Sequence, residues 1–176
     1  MAGAVFPWRS ANQFELLIDG PKFFPRMLAA IDQAQEHVDL ELYLVEAGDC
    51  AEAIVQALEQ AAWREVRVRC LFDGYGSLAF TTGLRRRLTD AGVELRFYNR
   101  LSWRRGLNNL YRDHRKLLLV DHQLAVVGGT GVTDEFWQPG QNTCDWHEVM
   151  VAIEGPLVQD WQMLFHRQWR ANISRK

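Results

Sequence analysis

At 176 residues, 48% of them hydrophobic, the chain can bury one substantial core and is too short for two domains of ordinary size. Its formal charge of −2 offers nucleic acid no global attraction, so a phosphate-binding surface would have to be local. No apolar run approaches the ~20 residues of a membrane span, residues 1–10 lack a signal core, and Cys50, Cys70 and Cys144 lack metal-ligand spacing. Together these point to a soluble or peripheral segment with reduced, cytosolic thiols and no zinc site.

In chain order, residues 1–13 read as an N-terminal segment, 14–171 as one domain and 172–176 as a tail. A strand at 14–18 ends in Asp19-Gly20-Pro21, whose proline suits the first turn of a helix carrying Phe24, Leu28 and Ile31. A second strand covers 38–45. Asp49 with Glu52 three residues on has the form of a helix-start capping box before Ile54, Leu58 and Ala61. A third strand at 66–72, a helix marked by Phe80, Leu84 and Leu88, and a fourth strand at 93–98 follow. A hairpin of strands 117–120 and 124–127, a strand at 149–153 and a helix from 156 to about 170 complete the reading. Strand and helix in such alternation predict an α/β fold with a mixed, largely parallel sheet covered by helices on both faces.

The chemistry is concentrated at the hairpin. His114 and Lys116 stand two apart at the entrance of an apolar strand, so they project from the same side. An imidazole works as nucleophile or general acid/base near neutral pH, and a lysine beside it can hold an anionic oxygen as charge builds. The pair suits attack on a phosphate ester. Glu148, a carboxylate at the entrance of a later apolar strand, is the candidate orienting group for the imidazole. Asp121, just past the strand, is better suited to tying down the hairpin turn, and Glu41, inside an apolar strand, calls for a partner such as arginine. Asp73, at a strand's carboxyl end, stands where open sheets place their sites, whereas His122, His147 and His166 read as surface or strand-end groups.

Between the fourth strand and the hairpin, Arg100, Arg104, Arg105, Arg112, Arg115 and Lys116 crowd together, interleaved with Leu101, Trp103, Leu107, Leu110 and Tyr111. Arg112 and Arg115 are the candidates for phosphate contact, and Trp103, Arg104 and Arg105 for contact with an anionic membrane. The same composition would serve a nucleic-acid backbone with stacked bases, a less favoured partner.

His114-x-Lys116-x4-Asp121 followed by Gly128-Gly129 resembles the signature of the phospholipase D superfamily. The resemblance runs from Trp8-Arg9 through Leu71-Phe72-Asp73-Gly74-Tyr75-Gly76-Ser77 to Glu154-Gly155-Pro156 and is closest to the N-terminal half of cardiolipin synthase-type members. It implies a phospholipase D-like fold and assigns His114, Lys116, Asp121 and Glu148 to the catalytic set, with Gly128 and Gly129 at the phosphate. It further implies phosphatidyl transfer in cardiolipin synthesis through a phosphohistidine-type intermediate, without cofactor or metal, at the cytoplasmic side of a membrane, on an anionic phospholipid such as phosphatidylglycerol. A metal-independent phosphodiesterase or nuclease built as a homodimer and a non-catalytic lipid-binding fragment are the other readings. Two departures stand out. Gly131 replaces the asparagine the family usually carries, and there is one motif where the family builds a site from two. The second motif is therefore expected from a missing C-terminal half or an identical partner chain, docked on an exposed apolar face.

Overall fold

The computed structural model describes residues 6–137 and 147–173. Cys144, and Trp146 at the start of the segment that leads to Glu148, lie outside them.

Seven strands form one sheet: β1 (Gln13–Ile18), β2 (His37–Leu42), β3 (Arg67–Asp73), β4 (Glu94–Tyr98), β5 (Leu117–Val120), β6 (Leu124–Gly128) and β7 (Val149–Glu154). Four helices, α1 (Gly20–Gln33), α2 (Asp49–Trp63), α3 (Thr82–Asp90) and α4 (Val158–Ile173), alternate with them, and a short 3-10 segment at Trp103–Leu110 breaks at Gly106. The spatial order is β1-β7-β6-β5-β2-β3-β4, which puts the motif strand β5 at the centre with all four of its residues buried.

The sheet is mixed, as expected, but the expectation of a largely parallel one is corrected. Only β2–β3 and β3–β4 pair in parallel; β1–β7, β7–β6, β6–β5 and β5–β2 are all antiparallel. The reason lies in the connections. A parallel crossover needs a dozen or more residues, usually with a helix, and α2 and α3 supply that for β2, β3 and β4. No such helix stands between β4 and β5, and the three-residue connection 121–123 turns β6 back alongside β5.

Helices do cover both faces, unequally. On one side Phe23, Phe24, Met27, Ile31, Ile54, Leu58 and Leu88 pack on Val38, Leu40, Cys70, Leu118 and Val126. On the other, α4 alone sets Val158, Phe165 and Trp169 against Leu71, Leu117, Leu119, Ala125 and Ile153. Each fully buried Leu or Phe contributes about 1.5–3 kcal/mol, and the period-two split of β5 between the two cores fixes its register.

Local helix-start signals hold at α1 and α3 and give way at α2. Pro21 does open α1, and Thr81 caps α3 by accepting from Leu84 N at 3.4 Å, leaving Phe80 just outside the helix. The capping box at Asp49 and Glu52 is not formed. Gly48 is the cap residue, and the amides of Asp49 and Cys50 donate to the carboxylate of Asp134 at 3.1 and 2.8 Å, while Glu52 pairs with Arg87. A partner 85 residues away has replaced the local one. Strand β2 stops at Leu42, and Val45 makes only an isolated bridge to Val132.

Candidate active site

β1, β2, β3 and β6 end on the edge of the sheet at which β5 and β7 begin, as their registers require. That edge gathers Tyr43 after β2, Asp73 at the end of β3, His114 and Lys116 before β5, Gly128-Gly129 at the end of β6 and Glu148 before β7. It is the carboxyl edge of the parallel strands, where open sheets leave crevices.

His114 is exposed at the mouth and Lys116 is buried beneath it, as their spacing predicted. Lys116 Nζ lies 2.8 Å from His114 Nδ1 and donates to the His114 carbonyl at 3.0 Å. Burial holds the lysine below its usual range, while the negative charges of Glu148 and Asp113 oppose that shift. Glu148 thus acts electrostatically on Lys116. Its backbone is pinned by donation to Asp19 Oδ1 at 3.1 Å, and its carboxylate leans over Gly129, where a Cβ would sit 2.2 Å from Oε2. Glycine at 129 is what lets the acid approach. Gly128 donates to the Lys116 carbonyl at 3.4 Å, binding the glycine pair to the motif strand's entrance.

Tyr43 was not singled out from sequence, because it fell inside an apolar run read as strand. Its ring packs on His114 with centroids 4.3 Å apart and stands 5.4 Å from Lys116 Nζ, within cation–π range. The only available signal was its place after β2, on the edge that carries the motif. Gly131 explains itself sterically, since a Cβ there would come within 2.8 Å of the Leu44 carbonyl oxygen. A side chain at 131 would require that segment to move.

Several expected site residues are committed elsewhere. Arg115 points to the α4 face and pairs with Glu41 at 2.7 Å and Asp113 at 3.4 Å, so it is not at the phosphate position. Strand alternation dictates this, since Arg115 lies between His114 and Lys116 and must face away from both. Arg112 pairs with Asp73 at 3.1 Å and donates to the carbonyls of Asn99 and Asn109, which holds the basic segment in place. Asp73 also accepts from the amides of Tyr75 at 2.8 Å, Gly76 at 3.2 Å and Asp113 at 2.9 Å; it organises the edge. Asp121 stands at the far end of β5, seven residues or roughly 20 Å from His114 at about 3.3 Å per residue. Its carboxylate accepts from the amides of Gln35, Glu36 and His37 at 2.8–2.9 Å, a structural role and not a catalytic one.

Glu41 found the arginine that its burial demanded. Two carboxyl groups, Glu41 and Asp113, share Arg115, and desolvation with the neighbouring Asp113 charge pushes Glu41 up to about 10. At neutral pH it therefore keeps its proton, while the pKa of Asp113 is lowered: burial, which raises it, is the largest influence, outweighed by the neighbouring Glu41, Arg115 and Gln168 together. Beneath α4 a further pair, Arg69 and Asp39, is bidentate at 2.5–2.6 Å, with His166 at 3.0 Å from Arg69; His166 is half-buried, not the surface group expected.

The basic segment projects its apolar side chains outward. Trp103 is fully exposed, and Leu107, Leu110 and Tyr111 nearly as much. Arg104 is exposed beside them; the side chain of Arg105 lies outside the described residues. A second exposed apolar strip, Phe14, Leu16, Ile18 and Val149, runs along β1 and β7 to the position before which Glu148 stands.

With this geometry the family follows. The family model for the cardiolipin synthase, phospholipase D-like domain matches residues 27–169, and the chain belongs to that family. Among curated relatives it is 33% identical to cardiolipin synthase A of Pseudomonas putida (strain W619) over 164 residues and 35% identical to cardiolipin synthase B of Salmonella typhi over 155. These alignments cover 93% and 87% of this chain and 34% and 37% of those proteins, so the chain spans about a third of the length of the curated relatives it matches. Its fold is similar to that of Nuc from Salmonella typhimurium, a phospholipase D family member (TM-score 0.68, 18% identity, 91% of this chain and 95% of that one). It is also similar to that of NucT from Helicobacter pylori (TM-score 0.71, 12% identity, 91% and 97%).

Proposed function

We propose that this chain supplies one of two catalytic motifs for phosphatidyl transfer between phospholipids, the reaction class of cardiolipin synthesis. The observation that carries the reading is the juxtaposition of His114, Lys116, Glu148 and Gly128-Gly129 on one sheet edge, in a family whose full-length relatives are named cardiolipin synthases. Nδ1 lies against Lys116, so Nε2 is the ring atom that faces substrate; it becomes the nucleophile in the tautomer that carries the ring proton on Nδ1, which forms as Lys116 leaves the ring for the phosphate. It attacks the phosphodiester phosphorus, a P–N bond forms as the P–O bond to the leaving alcohol breaks, and that alkoxide takes a proton from the second motif's acid. A lipid alcohol such as that of phosphatidylglycerol then attacks phosphorus and gives its proton back to the second motif's group, a P–O bond forms as the P–N bond breaks, and the imidazole is restored. Lys116 turns from the ring to the phosphate oxygens as charge develops, and Glu148 keeps it oriented.

The second motif docks over the strip at Phe14, Leu16, Ile18 and Val149, which begins next to Glu148 and offers an apolar surface at the site's edge. A partner with its own His-x-Lys pair supplies the proton donor, worth typically ~10²–10⁴-fold. A self-paired phosphodiesterase is the second reading, supported by the match to solved chains over 95% and 97% of their own length. Assaying the chain alone, and with a C-terminal half carrying its own motif, separates the two: transfer that needs the second half supports the first. Robust synthesis by a strict monomer in light scattering overturns the two-motif scheme.

The exposed Trp103, Leu107 and Leu110 with the neighbouring arginines are the segment's contact with an anionic bilayer at its cytoplasmic side. Replacing Arg104 and Arg105 by alanine, with Arg112 left on Asp73, removes about 1 kcal/mol each, so vesicle sedimentation at low salt should show binding weakened by roughly thirty-fold. Unchanged binding rules the contact out.

A further inference from the structure

At the end of β5 away from His114, the hairpin turn brings a second group of chemically capable side chains together. One donor atom each of Glu36, His37 and His122 lies within 4.8 Å of the others. We propose that these three residues bind a divalent transition-metal ion of the zinc class, which clasps the motif hairpin to the start of β2.

The arrangement is specific to the side chains present. His37 and His122 face each other with ring centroids 3.9 Å apart. The amide nitrogen of Gln162, from α4, meets His37 Nε2 at 3.2 Å and also contacts His122 Nδ1. His37 Nε2 and His122 Nδ1 thus converge on one amide group, so both ring nitrogens point at a single position, which is what a shared cation requires. Glu36 brings the negative charge. Two imidazoles and a carboxylate, with one position left for water, form a donor set that suits zinc and is poor for magnesium, which takes oxygen ligands. Gln162 is unbranched and can swing aside as the ion enters, and Glu36 and His122 are exposed while His37 forms the buried wall.

The turn itself adds an independent observation. Asp121 and His122 both have positive φ, 49° and 57°, at the two central positions of the turn closed by Gln123 N donating to the Val120 carbonyl. The left-handed conformation, which histidine adopts more readily than most residues, turns the His122 ring back onto His37. Asp121 accepts from the backbone amides of Glu36 and His37, so the motif's own aspartate holds two of the three ligands opposite the third. The site lies about 20 Å along β5 from His114, estimated from strand rise, so the ion is a clamp and takes no part in the reaction. The absence of cysteine spacing, which suggested no zinc site, does not bear on a cluster assembled from β2 and a hairpin turn.

Calorimetric titration of the chelator-treated chain with zinc chloride tests this, read alongside melting temperature. One equivalent should bind and raise Tm; magnesium chloride should do neither. His122→Asn keeps a residue that accepts the left-handed turn and removes the imidazole, and Glu36→Gln removes the charge without changing shape. Each should weaken zinc binding by at least roughly ten-fold and shrink the Tm rise, with the metal-free melting temperature retained. Cys144→Ser and His147→Ala should leave the titration unchanged. Failure of the wild-type chain to bind zinc, or equal binding by His122→Asn and Glu36→Gln, overturns the proposal.

Discussion

The two ends of β5 carry the two halves of one sequence motif and are built on opposite principles. At its entrance His114 is exposed, Lys116 is buried next to a carboxylate, and glycine at 129 leaves room for Glu148. At its exit the carboxylate of Asp121 is saturated by three backbone amides. Chemistry needs groups that can change partners during a reaction, whereas a turn needs groups that cannot. The difference teaches that a motif's spacing does not make its members one site: His114 and Asp121 flank one strand and, in the proposed function, divide reaction from architecture between its ends.

Substitution at the entrance should have the largest effect and should be felt in chemistry alone. His114→Ala, in a two-motif protein containing this segment, is expected to abolish transfer and the covalent phospho-adduct detected by mass spectrometry after quenching, while Tm stays within about 1 °C, since an exposed side chain holds little of the core. Normal turnover in that variant would break the comparison at its functional end.

The exit should respond in the opposite sense. Asp121→Ala leaves three amides without their carboxylate and puts a Cβ without polar compensation at positive φ, for an expected loss of about 2–4 kcal/mol in chemical denaturation. Asp121→Asn, which tolerates the left-handed turn and keeps one acceptor, should lose less. Because its three amide bonds outweigh burial and hold Asp121 below the usual carboxylate range, its stabilisation is present above the unfolded value and lost as pH falls through the folded one. If Asp121→Asn were as stable as wild type yet inactive, the residue would belong with the chemistry after all.

A pH series probes the buried acids between the ends. Glu41 folds with its proton on, its pKa pushed to about 10 against an ordinary 4.5, so the folded state binds more protons than the unfolded chain between those values. Stability from this residue is therefore present at low pH and declines as pH rises through that window. Glu41→Gln, which mimics the neutral acid, should remove the decline. The variant should match wild type near pH 4.5 and exceed it increasingly toward pH 9, by several kcal/mol, because each pH unit between the two values is worth about 1.4 kcal/mol. A wild-type chain that gains stability over this range relative to Glu41→Gln would mean that Arg115 holds Glu41 ionised.

Sequence alone determined the elements and much of the edge they share. Short apolar runs located the seven strands of the described residues to within a few residues, because a strand buried on both faces needs apolar side chains at successive positions. The two-residue spacing of His114 and Lys116 put them on one side of the chain, because side chains alternate along a strand. Local rules failed wherever the partner came from afar. Asp134 caps α2 in place of Glu52, Arg115 turns under α4 to neutralise Glu41, and Tyr43 meets His114 only once β2 and β5 are neighbours. Strand direction likewise was settled by which connection each strand received, and so the sheet came out mainly antiparallel although its elements alternate. Short-range periodicity is set by backbone geometry and can be read along the chain. Which distant charge satisfies a buried one is set by the energy of leaving it unpaired, and that is decided only in the packed molecule.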